Sequence, residues 1–185
     1  MALVVGTAGM PGAGKTTAAR YLAGPGRAVL SMGDVIREEV TRRGLPPGIE
    51  SQTAVLRAVR EERGPAAVVE LLEPRIRAAL ARGEVVILDG VRSPAEVERL
   101  RAIGPTRILA VHASPATRFE RLRLRGRPDD PRAPEELAAR DRVELALGAG
   151  EVIALADGMI VNEGIAPPAL GAAAAAAVGR WLSGL

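Results

Sequence analysis

The sequence predicts a three-layer α/β fold, with a parallel five-stranded sheet flanked by helices. Three observations carry this expectation. Short apolar runs that read as strands alternate with longer stretches that read as helices, the pattern of repeated βαβ units. The two clearest runs, ALVVGTA at 2–8 and EVVILD at 84–89, are apolar almost throughout, as strands covered on both faces should be. The chain has 185 residues, the length of one domain, and 48% of them are hydrophobic, enough to build a core although only 2% are aromatic.

The elements follow in order. Residues 2–8 form the first strand, a Gly-rich turn follows, and a helix runs from 15 to about 23, where Gly24, Pro25 and Gly26 stop it. A short strand at 28–31 precedes a helix over 34–43, ended by Gly44 and the Pro46-Pro47 pair. Two more helices, 51–63 and 65–82, are separated by Gly64 and Pro65. The strand at 84–89 leads to a helix opened by Ser93 as N-cap and Pro94 at its first position. The strand at 107–112 is followed by the same device, Ser114 and Pro115, opening a helix to about 125. A Gly/Pro/Asp-rich loop at 126–134, a helix to 147, a short strand at 159–161 and a helix at 168–182 complete the chain. The stretch 34–83 interrupts the alternation with three consecutive helices and reads as a helical insertion beside the sheet of a single domain, 1–185. His112, at a strand end, reads as packing or support, and Trp181 as a residue that docks the last helix.

Composition excludes several classes. Without Cys there is no disulfide scaffold, thiolate metal site or Cys nucleophile. Twenty-five basic against 22 acidic residues leave a net charge of only +3, and the chain has one Phe, one Tyr and one Trp, a poor basis for nucleic-acid binding. No basic leader opens the chain and no apolar run approaches the about 18 residues that a membrane span needs, so the expected location is cytoplasmic. Nothing in the pattern bears on oligomeric state. Lys15 is the only lysine, against 24 arginines.

That lysine lies in Gly9-Met10-Pro11-Gly12-Ala13-Gly14-Lys15-Thr16, which fits G-x-x-x-x-G-K-[ST] between a buried strand and a helix. With one Lys in the chain, both glycines and the Thr would fall in register by chance about once in a thousand times. The chemistry is that of a phosphate loop. Glycines let several backbone N–H groups converge on one phosphate, Lys15 reaches the β- and γ-phosphates, and Thr16 ligates Mg²⁺. Thr17 continues the loop into the helix. Asp89, closing VVILD, has the placement of a Walker B carboxylate that holds Mg²⁺. The donor is expected to be ATP, with Mg²⁺, in a P-loop NTPase fold.

Downstream segments resemble the nucleoside monophosphate kinases, adenylate kinase among them. MGDVIR at 32–37 resembles their G-D-x-x-R segment, and DGVR at 89–92 a D-G-[F-P]-R segment one residue shorter. The resemblance implies that Arg37 and Arg92 clamp the acceptor phosphate beside Gly90, with Asp34 near the metal and the reacting groups. Two guanidiniums suit a phosphate dianion because each can bind two oxygens. Arg121, Arg125, Arg127 and Arg140 match a short lid. There Arg121 stacks on the donor base, while Arg125, Arg127 and Arg140 neutralise charge on the transferring group. Arg118 and Arg123 read as a solvated helix face, and Arg60 as a surface residue of the insertion first and a further acceptor contact second. MIVNEG at 159–164 is similar to the I-x-N-x-G turn of dephospho-CoA kinases, which puts the Asn162 amide near the adenine.

From Val5 to Gly164 the chain resembles an archaeal family related to adenylate kinase and dephospho-CoA kinase. GMPGAGKTT, MGDVIREEV, VILDGVRSPAEVE, RGRPDD, RDRVELALG and VIALADGMIVNEG carry the resemblance. The insertion is longer than in adenylate kinase, and so is the lid between Arg127 and Arg140. The implied activity is transfer of the γ-phosphoryl of ATP to a small nucleotide acceptor, first a nucleoside monophosphate. Phosphorylation of a hydroxyl, as in dephospho-CoA kinase, is the alternative enzyme reading. A nucleotide-binding regulator or slow ATPase is the alternative outside small-molecule kinases.

Overall fold

A computed structural model describes residues 3–127 and 130–184. Its elements run in the order β1 (Val4–Ala8), α1 (Lys15–Tyr21), β2 (Arg27–Ser31), α2 (Met32–Arg42), α3 (Ile49–Arg63), α4 (Ala67–Ala81), β3 (Val85–Asp89), α5 (Pro94–Ile103), β4 (Thr106–His112), α6 (Pro115–Arg125), α7 (Pro134–Ala146), α8 (Ala149–Ala154), β5 (Gly158–Val161) and α9 (Pro167–Ser183). The sheet is parallel and five-stranded, as the alternation of strands and helices predicts, and its order is β2-β3-β1-β4-β5. Because β1 has β3 on one side and β4 on the other, the chain turns opposite ways at the ends of its central strands. In such sheets the ligand crevice lies outside the carboxyl ends of the strands at this switch point. Both the Gly-rich turn after β1 and Asp89 at the end of β3 fall there.

Each strand feeds two cores because successive side chains point to opposite faces. Val86 and Leu88 pack with α2, α3, α4 and α5 on one face, whereas Val85 and Ile87 pack with α1 and α9 on the other. Small side chains substitute for the missing aromatics. Ala18, Ala19 and Leu22 of α1 meet Leu170, Ala174, Ala177 and Val178 of α9, so the Ala-rich run of α9 serves close helix packing. Trp181 lies against this second core, as expected of a docking residue.

Two expectations need correction and one element is additional. The helix expected to end at 147 does so, as α7, and a short helix that the sequence pattern did not indicate, α8, follows it with Gly148 in the left-handed region as its N-cap. The stretch 34–83 is not wholly peripheral: Val68, Val69, Leu72 and Ile76 of α4 are fully buried in the first core, so α4 is a layer of the fold. His112 is exposed rather than packed, and its backbone carbonyl accepts from Asn162 N at 2.7 Å. Pro128 and Asp129, within the lid expected at 126–134, lie outside the described residues. No helix among the described residues is long and apolar enough to cross a membrane.

Candidate active site

The turn after β1 wraps over the start of α1. Gly12 has φ +81° and Gly14 φ +108°, both in the left-handed region that glycine alone enters freely. Space forbids a side chain as well. A Cβ on Gly12 would lie 2.8 Å from the Arg118 carbonyl oxygen, and one on Gly14 would lie 2.4 Å from Asn162 Nδ2. Gly9, Met10 and Ala13 build the loop from behind: Ala13 is fully buried and its N–H donates to the Met10 carbonyl at 3.1 Å. The first turn of α1 has no acidic residue, so nothing there competes for an anion.

Two cavities open onto this loop. The larger, about 420 Å³, brings together Pro11, Gly12, Lys15, Thr16, Asp34, Arg37, Asp89, Gly90, Arg92, Arg125, Arg127 and Arg140. The second, about 350 Å³, is lined by Gly14, Thr17, Arg121 and Asn162 against Ile165, Pro167 and Leu170, and shares Gly12, Lys15, Thr16 and Arg125 with the first. The expected donor-side and acceptor-side residues therefore border one continuous region, the loop between them.

The electrostatics follow from this crowding. Burial is the main reason the Lys15 ammonium is pushed down to about 8 from its usual value near 10.5. The Arg92 guanidinium lowers it further, while the carboxylates of Glu144 and Asp89 pull it back up. Most of the arginines around the first cavity carry a carboxylate partner. Arg37 pairs with Asp34 one helical turn earlier. Arg92 Nη1 donates to Glu144 Oε1 at 3.2 Å. Asp130, only 3% exposed at its side chain, takes Arg125 and lies 4.0 Å from Arg140. Its Oδ2 also accepts from Arg127 N at 2.9 Å. The carboxyl of Asp130 is held below its usual range by Arg125, Arg127 and Arg140 in spite of burial.

Asp89 is fixed by a residue with no sequence signature. Thr7, fully buried in β1, donates from Oγ1 to Asp89 Oδ1 at 3.2 Å, and its carbonyl accepts from Gly90 N and Val91 N at 3.2 and 3.0 Å. Thr16 is exposed at the start of α1 and borders the same cavity as Asp89. One hydroxyl and one carboxylate beside a phosphate site suit Mg²⁺, which binds few protein ligands and takes the rest from phosphate oxygens and water.

Three side chains do something other than expected. Arg118 is no solvated residue. It is 4% exposed, its Nε donates to the Ala113 carbonyl at 3.2 Å, and its Nη1 donates to the Pro11 carbonyl at 3.2 Å. A bidentate pair with Asp141, at 2.8 and 2.7 Å, holds it there. The Asn162 amide does not turn to a base: its Nδ2 donates to the Ala13 carbonyl at 2.8 Å, and the residue is 4% exposed. Arg121 lines the second cavity while donating to the Asn162 carbonyl at 2.9 Å and the Ala13 carbonyl at 3.4 Å. Arg60 is likewise not at the surface: it borders the first cavity and pairs at 3.0 Å with Glu96, whose side chain is 1% exposed. Glu96 in turn accepts from Arg92 N at 2.7 Å and Ser93 N at 3.1 Å, which anchors the backbone of the acceptor-side arginine. The S-x-x-E spacing of Ser93 and Glu96 marks this capping box in the sequence. The pairs that α7 makes with Arg92 and Arg118, 52 and 23 residues away along the chain, carry no comparable mark.

A family model described as an AAA domain matches residues 5–142. A UPF0200 protein of Pyrococcus abyssi is 47% identical over 164 residues, 87% of this chain and 88% of its own length. Among solved structures, a sugar kinase of a Janibacter species superposes with a TM-score of 0.58 at 21% identity, over 95% of this chain and 93% of that one. Shikimate kinase of Bacteroides thetaiotaomicron gives 0.54 at 20% identity, over 98% of both. The fold is that of P-loop kinases.

Proposed function

The chain belongs to the UPF0200 family, and we propose that it is a small-molecule kinase that moves the γ-phosphoryl of ATP to a nucleotide-type acceptor, a nucleoside monophosphate first. One observation supports this most. Arg37 and Arg92 border the same cavity as the phosphate loop, together with Lys15, Asp89 and the lid arginines. An ATPase needs no second anion clamp facing its phosphate loop; a kinase for a phosphorylated acceptor does.

In this reading the loop amides and Lys15 hold the donor's β- and γ-phosphates, and the slot beside Arg121, Ile165 and Pro167 takes the donor base. Thr16 and Asp89 would hold Mg²⁺, which supplies charge neutralisation on the donor phosphates. Arg92 and Arg37 place the acceptor phosphate in line with the γ-phosphorus, and Arg125, Arg127 and Arg140 neutralise charge on the equatorial oxygens as it moves. Closure of α2, α3 and the lid at 126–134 would exclude water. A second reading, transfer to a hydroxyl, finds support in Asp34, a carboxylate on the same cavity that can accept a proton.

Arg92→Ala tests the reading. With acceptor varied at saturating ATP, KM for the acceptor should rise about a hundred-fold, the loss of one charge-assisted bidentate contact. KM for ATP should stay within about two-fold. An unchanged acceptor KM removes Arg92 from the acceptor clamp.

A further inference from the structure

We propose that Glu144 is a positioning residue for acceptor binding: it holds the Arg92 guanidinium by its Nη1 edge and so aims the Nε/Nη2 fork at the acceptor phosphate. This rests on the kinase reading above for the identity of the acceptor, but not for its geometry.

The argument begins with what Glu144 is. It is a carboxylate buried in α7, 12% exposed at its side chain, on the wall of a cavity where basic side chains outnumber acidic ones. A carboxylate is an odd wall for an anion site, since it repels the incoming phosphate. Two roles could account for it. It could compete with the phosphate for Arg92, or it could hold Arg92 ready.

The atoms separate these roles. A guanidinium offers an oxyanion its best two-pronged edge through Nε–H and Nη2–H. Glu144 bonds Nη1 instead, at 3.2 Å, and no other described residue bonds the Arg92 side chain. The fork edge is therefore left for a ligand, and a phosphate can bind it without displacing Glu144. The backbone of Arg92 is fixed independently, through Glu96 and Arg60. Arg92 is thus held at its root by α5 and at its tip by α7, while the fork between remains available.

Glu144 is itself held. One turn earlier on α7, Asp141 pairs bidentately with buried Arg118, and Arg140 lies 4.0 Å from Asp130. An arginine otherwise 36% exposed would sample many rotamers, and binding would have to freeze them. A fixed carboxylate at one edge removes most of that freedom beforehand.

The test is calorimetric titration with AMP, as a monophosphate probe, into wild type, Glu144→Gln, Arg92→Ala and the double variant. Glu144→Gln is expected to weaken AMP about ten-fold, the difference between a charged and a neutral partner for one guanidinium edge. On the Arg92→Ala background the same substitution should no longer weaken AMP, because the positioning acts through Arg92. Glu144→Asp should recover part of the loss. Thermal unfolding of each variant separates loss of binding from loss of fold. Tighter AMP binding in Glu144→Gln would mean that Glu144 competes with the phosphate, and would overturn the proposal. So would equal losses on both backgrounds, or AMP binding in wild type that does not depend on Arg92. The titration reads binding and not transfer, so a wild type that binds AMP through Arg92 and Glu144 but transfers nothing would sink the kinase reading alone.

Discussion

Lys15→Ala is expected to reduce phosphoryl transfer about a thousand-fold, with the melting temperature unchanged or raised. The size follows from removing a preorganised donor that stabilises charge on the moving phosphoryl group in a water-poor site. No other lysine exists to replace it, and the arginines around the cavity are already engaged with carboxylates or aimed from the lid. The stability expectation has a separate basis. Burial and Arg92 lower the ammonium from 10.5 to about 8, so the folded state binds this proton less tightly than the unfolded chain does. The folded state is therefore penalised below pH 8, and the penalty lessens as pH rises from 8 toward 10.5. Wild type should gain stability relative to Lys15→Ala over that window. Function runs the other way. The ammonium that ATP needs is present below about pH 8 and lost above it, so kcat/KM for ATP should fall on the alkaline side. Urea unfolding of both proteins at pH 7 and 9.5, with the pH profile of kcat/KM, checks both halves.

Arg118→Ala should cost about 3 kcal/mol of stability, the usual penalty for leaving one member of a buried pair uncompensated, and lower the melting temperature by roughly 10 °C. The stranded partner is Asp141, 17% exposed. The effect should extend to nucleotide binding, because Arg118 also donates to the Pro11 carbonyl inside the phosphate loop. Arg123→Ala, five residues along the same helix but exposed, is the control and should change neither. Differential scanning calorimetry with and without ATP reads both effects. Equal melting temperatures for the Arg118 and Arg123 variants would return Arg118 to the solvated face.

Arg118 also shows where sequence reasoning stops. The strands were legible because both faces of the sheet are covered, which makes their apolar runs continuous. The phosphate loop was legible because its chemistry demands glycines at fixed spacing. Ser93, Pro94, Ser114 and Pro115 marked helix starts through capping rules that act over four residues. Arginines carry no such local mark in a chain with 24 of them. Whether a given guanidinium faces water, a backbone carbonyl or a ligand depends on which helix folds over it. For Arg118 that helix is α7, more than twenty residues later; for Arg60 it is α5, thirty-six later. Thr7 was invisible for the same reason, since a Thr inside a strand reads as strand former before it reads as the group that holds Asp89. Asn162 was placed at the right turn, yet its amide serves the phosphate loop through Ala13. That contact depends on β5 lying beside β4, which no local pattern specifies.

The most direct test of the central claim is a transfer assay with ATP labelled at the γ-phosphate. The acceptors are the ribonucleoside and deoxyribonucleoside monophosphates and dephospho-CoA, each also tried with GTP as donor. The expected result is label in a nucleoside diphosphate with at least one monophosphate, lost in Lys15→Ala and recovered only at high acceptor concentration in Arg92→Ala. Label in CoA instead would select the hydroxyl acceptor. Label released only as inorganic phosphate, at a rate indifferent to every acceptor, would contradict the kinase account and leave a slow nucleotide hydrolase.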